Sequence, residues 1–449
     1  MITTLVRYGR DFSPSALLLV ARLAGAGFGI LTQIILARSM PAASLGLFFF
    51  ATSLAAVLSV VTATGYPQVT TRFLSRYRTL NRRTRCAAFY RHGQRDILIV
   101  SLGLAALVIV LTSQVSDPET VIVVGIAAAS APVLALGQFV GAVANVERRF
   151  LLASLPELLI RPFALAVAVG AGAWLGFTFS PAILLVILLL VSASAVFAQM
   201  IALRGSDMLS ARILNISRPE KRLWRKAAAP LVIVAMFTML FADVAILITS
   251  PFMTRGELAV MAICVKISFL IGFGLQAIQQ TTMPGLAEDL RCGQTSRAMG
   301  RLNDANGVSV GVTLIAFALV WVSGDRLLMV FNTGFASAHH VLTILMAAQV
   351  VRALFGPAAQ MLTVLGLQRI VIAVCPIALV VLGVANAILI PLYGLFGAAV
   401  AIVIAITFWA GSLSVALARA TGLRSSLNIR FTHGAVQRYR KSMRSSQRV

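Results

Sequence analysis

The chain has 449 residues, 59% of them hydrophobic and only 12% charged, with a mean hydropathy of +0.93. Soluble domains carry roughly 25% charged residues, so a water-soluble fold of this size is excluded and lipid must be the missing solvent. The net charge of +24 comes from 38 Lys and Arg against 14 Asp and Glu; in a membrane protein such an excess sets orientation rather than binding nucleic acid.

A helix needs roughly 20 apolar residues to cross the hydrocarbon core. On that measure the first half reads as spans near 14–37, 45–66, 96–113, 120–144, 151–173 and 181–203. The apolar run from Leu17 continues as a full span and has no leader-type cleavage site. The second half reads as spans near 228–250, 257–283, 305–323, 339–362, 370–391 and 394–418. With the N-terminus cytoplasmic, the inside segments hold 31 Lys and Arg and the outside connectors hold three, Arg38, Arg255 and Arg326. That asymmetry predicts a multi-pass protein of a bacterial inner membrane with both termini cytoplasmic.

The basic inside loops at 67–95 and 204–226 are expected to lay amphipathic pieces on anionic headgroups. Met40-Pro-Ala-Ala-Ser-Leu-Gly opens a stretch ending at Pro67, and Met253-Thr-Arg-Gly-Glu-Leu-Ala opens a similar one ending at Pro284. Six spans per half make these parallel repeats, related by a pseudo-two-fold axis along the membrane normal. The expected fold is therefore an all-α polytopic membrane protein with twelve transmembrane helices in two six-helix lobes. The expected domains are an N-terminal lobe at 1–210, a basic linker at 211–226, a C-terminal lobe at 227–418 and a basic tail at 419–449. The tail is expected to lie on the membrane surface or to be disordered.

Charges at bilayer depth are the informative residues, because each costs about 2.5–3.5 kcal/mol on insertion scales and normally faces a wet or paired interior. Four cations qualify: Arg22, Arg161, Lys266 and Arg352. Helical spacing places Gln33 on the face of Arg22, Gln276 and Gln280 on that of Lys266, and Gln349 and Gln360 on that of Arg352. Four cations against one deep acid, Asp243, and a shallower one, Glu157, predict a cavity of positive potential suited to a phosphate or diphosphate. For each there is a plainer role: Arg22 can snorkel, Arg161 can pair with Glu157 one turn away, and Asp243 can pair with Lys266 or titrate to couple transport to ions.

No cofactor or metal is expected. None of the four lysines follows a glycine, as a phosphate-binding loop requires, and Cys86, Cys264, Cys292 and Cys375 are scattered without ligand spacing. The adjacent His339 and His340 read as interfacial. A membrane polymerase or glycosyltransferase would need acid-base carboxylates outside the membrane, and only Asp117, Glu119, Asp325 and Glu257 are candidates.

Several stretches bear a resemblance to a known family. They are Ala37-Arg38 with Leu45-Gly46-Leu47-Phe48, Asp243-Val-Ala-Ile-Leu, the run from Val265-Lys266 to Pro284-Gly-Leu, and above all Asn386-Ala-Ile-Leu-Ile-Pro391-Leu-Tyr-Gly394-Leu-Phe-Gly397-Ala-Ala. Together they resemble the Wzx-type polysaccharide flippases of the multidrug/oligosaccharidyl-lipid/polysaccharide exporter superfamily. The usual Leu-Gly-Pro is Leu45-Gly46-Leu here, and a Tyr before the Lys266 region is missing. The resemblance implies a V-shaped, MATE-like bundle, alternating access, and an undecaprenyl-diphosphate-linked oligosaccharide substrate for O-antigen or exopolysaccharide synthesis. It also implies a polysaccharide polymerase and a chain-length regulator as partners. Lipid II flippases resemble the group but usually carry fourteen spans. An ion-coupled multidrug exporter of the same superfamily is the alternative, and the excess of buried cations argues against it.

Overall fold

The computed structural model describes residues 14–112, 117–177, 179–205, 218–292, 294–423 and 425–426. Within them every regular element is helical. The helices are α1 (Pro14–Ser39), α2 (Ala42–Thr62), α3 (Tyr66–Thr79), α4 (Arg83–Thr112), α5 (Pro118–Val146), α6 (Phe150–Leu155), α7 (Arg161–Trp174) and α8 (Pro181–Arg204). They continue with α9 (Arg218–Met239), α10 (Phe241–Thr249), α11 (Arg255–Arg291), α12 (Thr295–Phe331), α13 (His339–Phe355), α14 (Ala358–Val364) and α15 (Gln368–Thr421).

By length and apolarity the described residues supply eight membrane-crossing helices, or nine if α9 and α10, bent by 84°, form one span. Twelve were expected. One of the eight, α15, takes in two expected spans, joined at Gly394, whose φ of 55° and ψ of −132° lie outside helical geometry. The outward faces confirm a lipid solvent: Trp174 is 87% exposed and Val322 80%, and water would not tolerate an apolar surface on that scale. This is a multi-pass membrane protein.

Helix starts follow local chemistry. Asp117 caps α5 by accepting from the Thr120 amide at 3.3 Å, and Ser180 caps α8 through the Ile183 amide at 3.3 Å. Each cap is followed by proline at the first helical position, where its missing N–H costs nothing. Asp117 also accepts from the Arg255 guanidinium, which lies 3.7 Å from Glu119 as well. Hydrogen bonds from Thr120 and Arg255 push the Asp117 carboxyl down from 3.8 to about 2. A depressed folded pKa contributes stability above the unfolded value and loses it as pH falls through the folded one. The melting temperature in detergent should therefore fall between about pH 4 and pH 2, and Asp117→Asn should flatten that part of the profile; an unchanged slope would contradict the assignment.

The chain divides into two compact units, Met1–Leu247 with Thr254–Ala259, and Ile248–Met253 with Val260–Val449. In the first unit α5 is the central helix, packed against α2, α3, α4 and α8. Its core is aromatic, built on Tyr66, Phe73, Tyr77, Phe89, Phe139 and Trp224. The unit runs past the linker expected at 211–226, because residues 218–226 are not a free connector. Trp224 is fully buried, 5.2 Å ring to ring from Phe89, and its indole N–H donates to the Tyr77 hydroxyl at 3.0 Å. The expected loop at 67–95 is likewise helical, forming α3 and the first turns of α4.

In the second unit α13 is central, packed on α12 and α15. The first residues of the expected free tail are docked there: Ser425 is 0% exposed, its hydroxyl donates to the Phe355 carbonyl at 2.9 Å, and its own carbonyl accepts from Asn306 Nδ2 at 2.7 Å. The docking has a local cause. α13 stops at Gly356, which leaves the Phe355 carbonyl without a helical partner, and a buried carbonyl must find one.

Candidate functional site

In the first unit, Arg161 opens α7 immediately after a π-helical turn, Pro156–Ile160. Proline 162 has no N–H and cannot extend a regular ladder, and π turns recur at functional positions. Helix α1 is able to lie against this turn because Gly25 lacks a side chain; a Cβ there would overlap the Leu158 carbonyl. Phe28 and Phe163 close the same contact edge to face at 5.1 Å. Arg161 is half-buried and within electrostatic reach of the Glu157 and Asp243 carboxylates. Asp243, in the first turn of α10, accepts from the buried Ser53 hydroxyl at 2.9 Å. The structure thus gathers Arg161, Glu157 and Asp243, and adds Ser53, which charge counting does not pick out.

Of the α1 residues expected at the site, Gln33 is half-buried, and the side chain of Arg22 lies outside the described residues. The side chains of Gln276 and Gln280 are outside them as well. Lys266 is half-buried on α11.

In the second unit Arg352 sits in the last turn of α13, midway along the apolar stretch Thr333–Val364. There the helix is interrupted by Gly356 and Pro357, and α14 resumes the path. Arg352 lines a recess with Gln279, Gln360, Gly356 and Trp409. Gln360 Nε2 donates to Gln279 Oε1 at 2.9 Å. Among the described residues no carboxylate acts on Arg352, and it makes no hydrogen bond or ion pair. Gln349 lies one turn before Arg352 and is 0% exposed. Gln279 and Trp409 escaped the sequence reading; the signal for Gln279 was present, since it stands among the glutamines at 276, 279 and 280 and only the choice of face excluded it.

The other expected groups are engaged elsewhere. The carboxylates of Asp117 and Glu119 face Arg255, and Glu257 accepts from the Thr254 amide at 2.9 Å. His339 Nε2 lies 3.2 Å from the Val320 carbonyl and 3.1 Å from that of Trp321. Those carbonyls are released by the break in α12 at Ser323, where φ is −130° and ψ 15°. His339 therefore pins a kink.

A second polar cluster went unseen in the sequence. Asp96, 5% exposed, takes a bidentate pair of bonds from Arg225, with Nε at 2.7 Å and Nη2 at 2.6 Å. It also accepts from the Tyr66 hydroxyl at 2.8 Å, and His92 Nε2 lies 3.5 Å away. This is the geometry in which arginine holds a carboxylate most firmly, and it ties α9 to α3 and α4.

No family model matches the sequence, and no curated protein matches it. Solved structures do match over nearly the whole chain. A MATE-family multidrug resistance transporter of the MOP superfamily, in an inward-facing conformation, superimposes with a TM-score of 0.69 at 14% identity, covering 89% of this chain and 97% of that one. The lipid II flippase MurJ, in an inward closed conformation, gives 0.71 at 13% identity, with 92% and 88% covered. A MOP-superfamily transporter from Pyrococcus furiosus, described as having a binding pocket of reversed polarity, gives 0.58 at 14% identity, with 90% and 93% covered. The chain has the fold of MOP-superfamily transporters, which MATE proteins and MurJ share.

Proposed function

We propose that this protein is a flippase that carries an undecaprenyl-diphosphate-linked oligosaccharide across the bacterial inner membrane by alternating access. The carrying observation is Arg352, a cation midway along an apolar stretch with no acid acting on it among the described residues. The end of α13 offers it partial compensation, because exposed carbonyls there are equivalent to about half a negative charge. A helix end does not neutralise a full guanidinium, and an anionic headgroup completes the balance. A cationic drug would meet the opposite, which disfavours the multidrug alternative at this position. The likeness in fold to a lipid II flippase supports the same reading. In this proposal Lys266 contributes a second positive charge, and the repeat unit is delivered to O-antigen or exopolysaccharide assembly, with a polymerase and a chain-length regulator as partners.

A second reading rests on the first unit, where Arg161 is within reach of two carboxylates. Asp243 and Glu157 there are suited to carry a proton or cation, as an ion-coupled exporter requires. The two readings separate in one experiment. Arg352→Ala and Lys266→Ala, expressed at wild-type level in the native host, should abolish or strongly reduce surface polysaccharide and leave lipid-linked sugar in the cytoplasmic leaflet. Unchanged surface polysaccharide in both variants, together with efflux of a cationic dye from vesicles, would establish the second reading instead.

A further inference from the structure

Helices α4 and α9 leave the same pattern uncovered. On α4 it is Arg91, Arg95 and Leu102, and on α9 it is Arg222, Lys226 and Ile233; all six are exposed. Both sets have the spacing i, i+4, i+11, which keeps each on one face of its helix. In each, the second cation is followed about 10 Å along the axis by an apolar side chain; Leu102 is 75% exposed and Ile233 36%. Among the described residues none of the four cations has an ion-pair partner.

The two faces open on the same side. Arg85 Nε lies 3.5 Å from Glu220 Oε1 near the start of both helices, and Arg225 holds Asp96 further on, so α4 and α9 run in the same direction. Viewed from their starts, Arg95 is turned about 100° anticlockwise from Asp96, and Lys226 about 100° clockwise from Arg225. Because Asp96 and Arg225 face each other, these opposite rotations bring Arg95 and Lys226 to one side of the clamp. Ile97 and Trp224 turn to the other side and are buried in the aromatic core.

We propose that this face holds an anionic phospholipid of the leaflet at the basic end of the helices, with its phosphate among Arg91, Arg95, Arg222 and Lys226 and its acyl chains along Leu102 and Ile233. The site does not depend on what the protein transports. The ligand it requires joins a negative headgroup to an apolar chain. A free phosphate would meet the cations and leave the apolar residues bare, and a zwitterionic headgroup would bring its own ammonium among four positive charges. Basic surfaces beside membrane helices attract anionic headgroups in general. What makes this a site is the Asp96–Arg225 clamp, which sets two equal patterns at one depth.

The test titrates the full chain in detergent with phosphatidylglycerol, phosphatidylethanolamine and undecaprenyl diphosphate, and reads bound lipid by native mass spectrometry. Phosphatidylglycerol should fill a first site well before phosphatidylethanolamine does. Each cation beside an anionic headgroup is worth about fivefold in affinity, so Arg95→Gln/Lys226→Gln should weaken that first site roughly 25-fold, and Arg91→Gln/Arg222→Gln should act in the same direction. Arg72→Gln/Arg76→Gln removes the same charge from the exposed face of α3 and should change it less than twofold. The replaced side chains are exposed, so melting temperatures should stay at the wild-type value. Equal weakening by the α3 pair would show diffuse attraction rather than a site and overturn the proposal, as would phosphatidylethanolamine binding as tightly as phosphatidylglycerol. If Arg95→Gln/Lys226→Gln weakens undecaprenyl diphosphate more than phosphatidylglycerol, the face receives the polyprenyl lipid instead, and the proposal falls while the flippase reading stands.

Discussion

Arg225→Ala is expected to destabilise the first unit by about 3 kcal/mol, near the lower end of what breaking a buried ion pair costs. Arg225 itself is 58% exposed and loses little; Asp96, at 7%, is left as a buried carboxylate. The Tyr66 hydroxyl still bonds it, which keeps the loss from being larger. The charge can then be removed separately. In Arg225→Ala/Asp96→Asn the buried partner is neutral, so much of the lost stability should return. Thermal unfolding in detergent, followed by tryptophan emission in a background that keeps Trp224 alone of the four tryptophans, reports on the site, because that indole is packed beside the cluster. A double variant no more stable than Arg225→Ala would show that the side chain of Arg225 acts through packing rather than charge.

The second large effect is expected at Gly356. Its φ of 68° and ψ of −169° belong to a region that essentially only glycine occupies. A Cβ there would also overlap the Ser425 carbonyl oxygen and approach Asn306 Nδ2 to 2.8 Å. Gly356→Ala should therefore cost the second unit about 3 kcal/mol, combining backbone strain of roughly 1–3 kcal/mol with the displacement of Ser425. Ser425→Ala removes the hydroxyl that caps Phe355 and also lies 3.2 Å from Ser414 Oγ, and should cost about 1 kcal/mol. The ordering carries the argument: if Gly356→Ala in a thermal unfolding series is as mild as Ser425→Ala, the backbone there is not strained.

Much of this was legible in the sequence, for identifiable reasons. Arg161, Lys266 and Arg352 stand out because a charge in an apolar run is conspicuous whatever the tertiary structure. Asp96 and Arg225 do not, because Asp96 stands at the very edge of an expected span and Arg225 in the expected basic linker, and only the fold brings residues 129 positions apart into a bidentate pair. Gln279 was missed by face assignment: each helical residue turns the wheel by about 100°, so the neighbour of Arg352 cannot be chosen among glutamines at 276, 279 and 280 without knowing how α11 is rotated. Ser425 falls in a segment whose polarity suggested a solvated tail. Its role depends on an unfilled carbonyl 70 residues earlier, which no local pattern announces.

The π turn at Pro156–Ile160 has an arithmetical consequence. Such a turn accommodates one extra residue in the winding, so whatever follows it is offset by about 100° from where an uninterrupted helix would point it. Residues 150–155 and 161–174 thus belong to one 25-residue span, Phe150–Trp174, but to two helical registers out of phase. A periodicity averaged over the whole span is weakened by that offset. The charge at position 161 owes its aim to that phase slip, and the loss of a single residue from the turn would swing it to another side of the helix while leaving its depth almost unchanged.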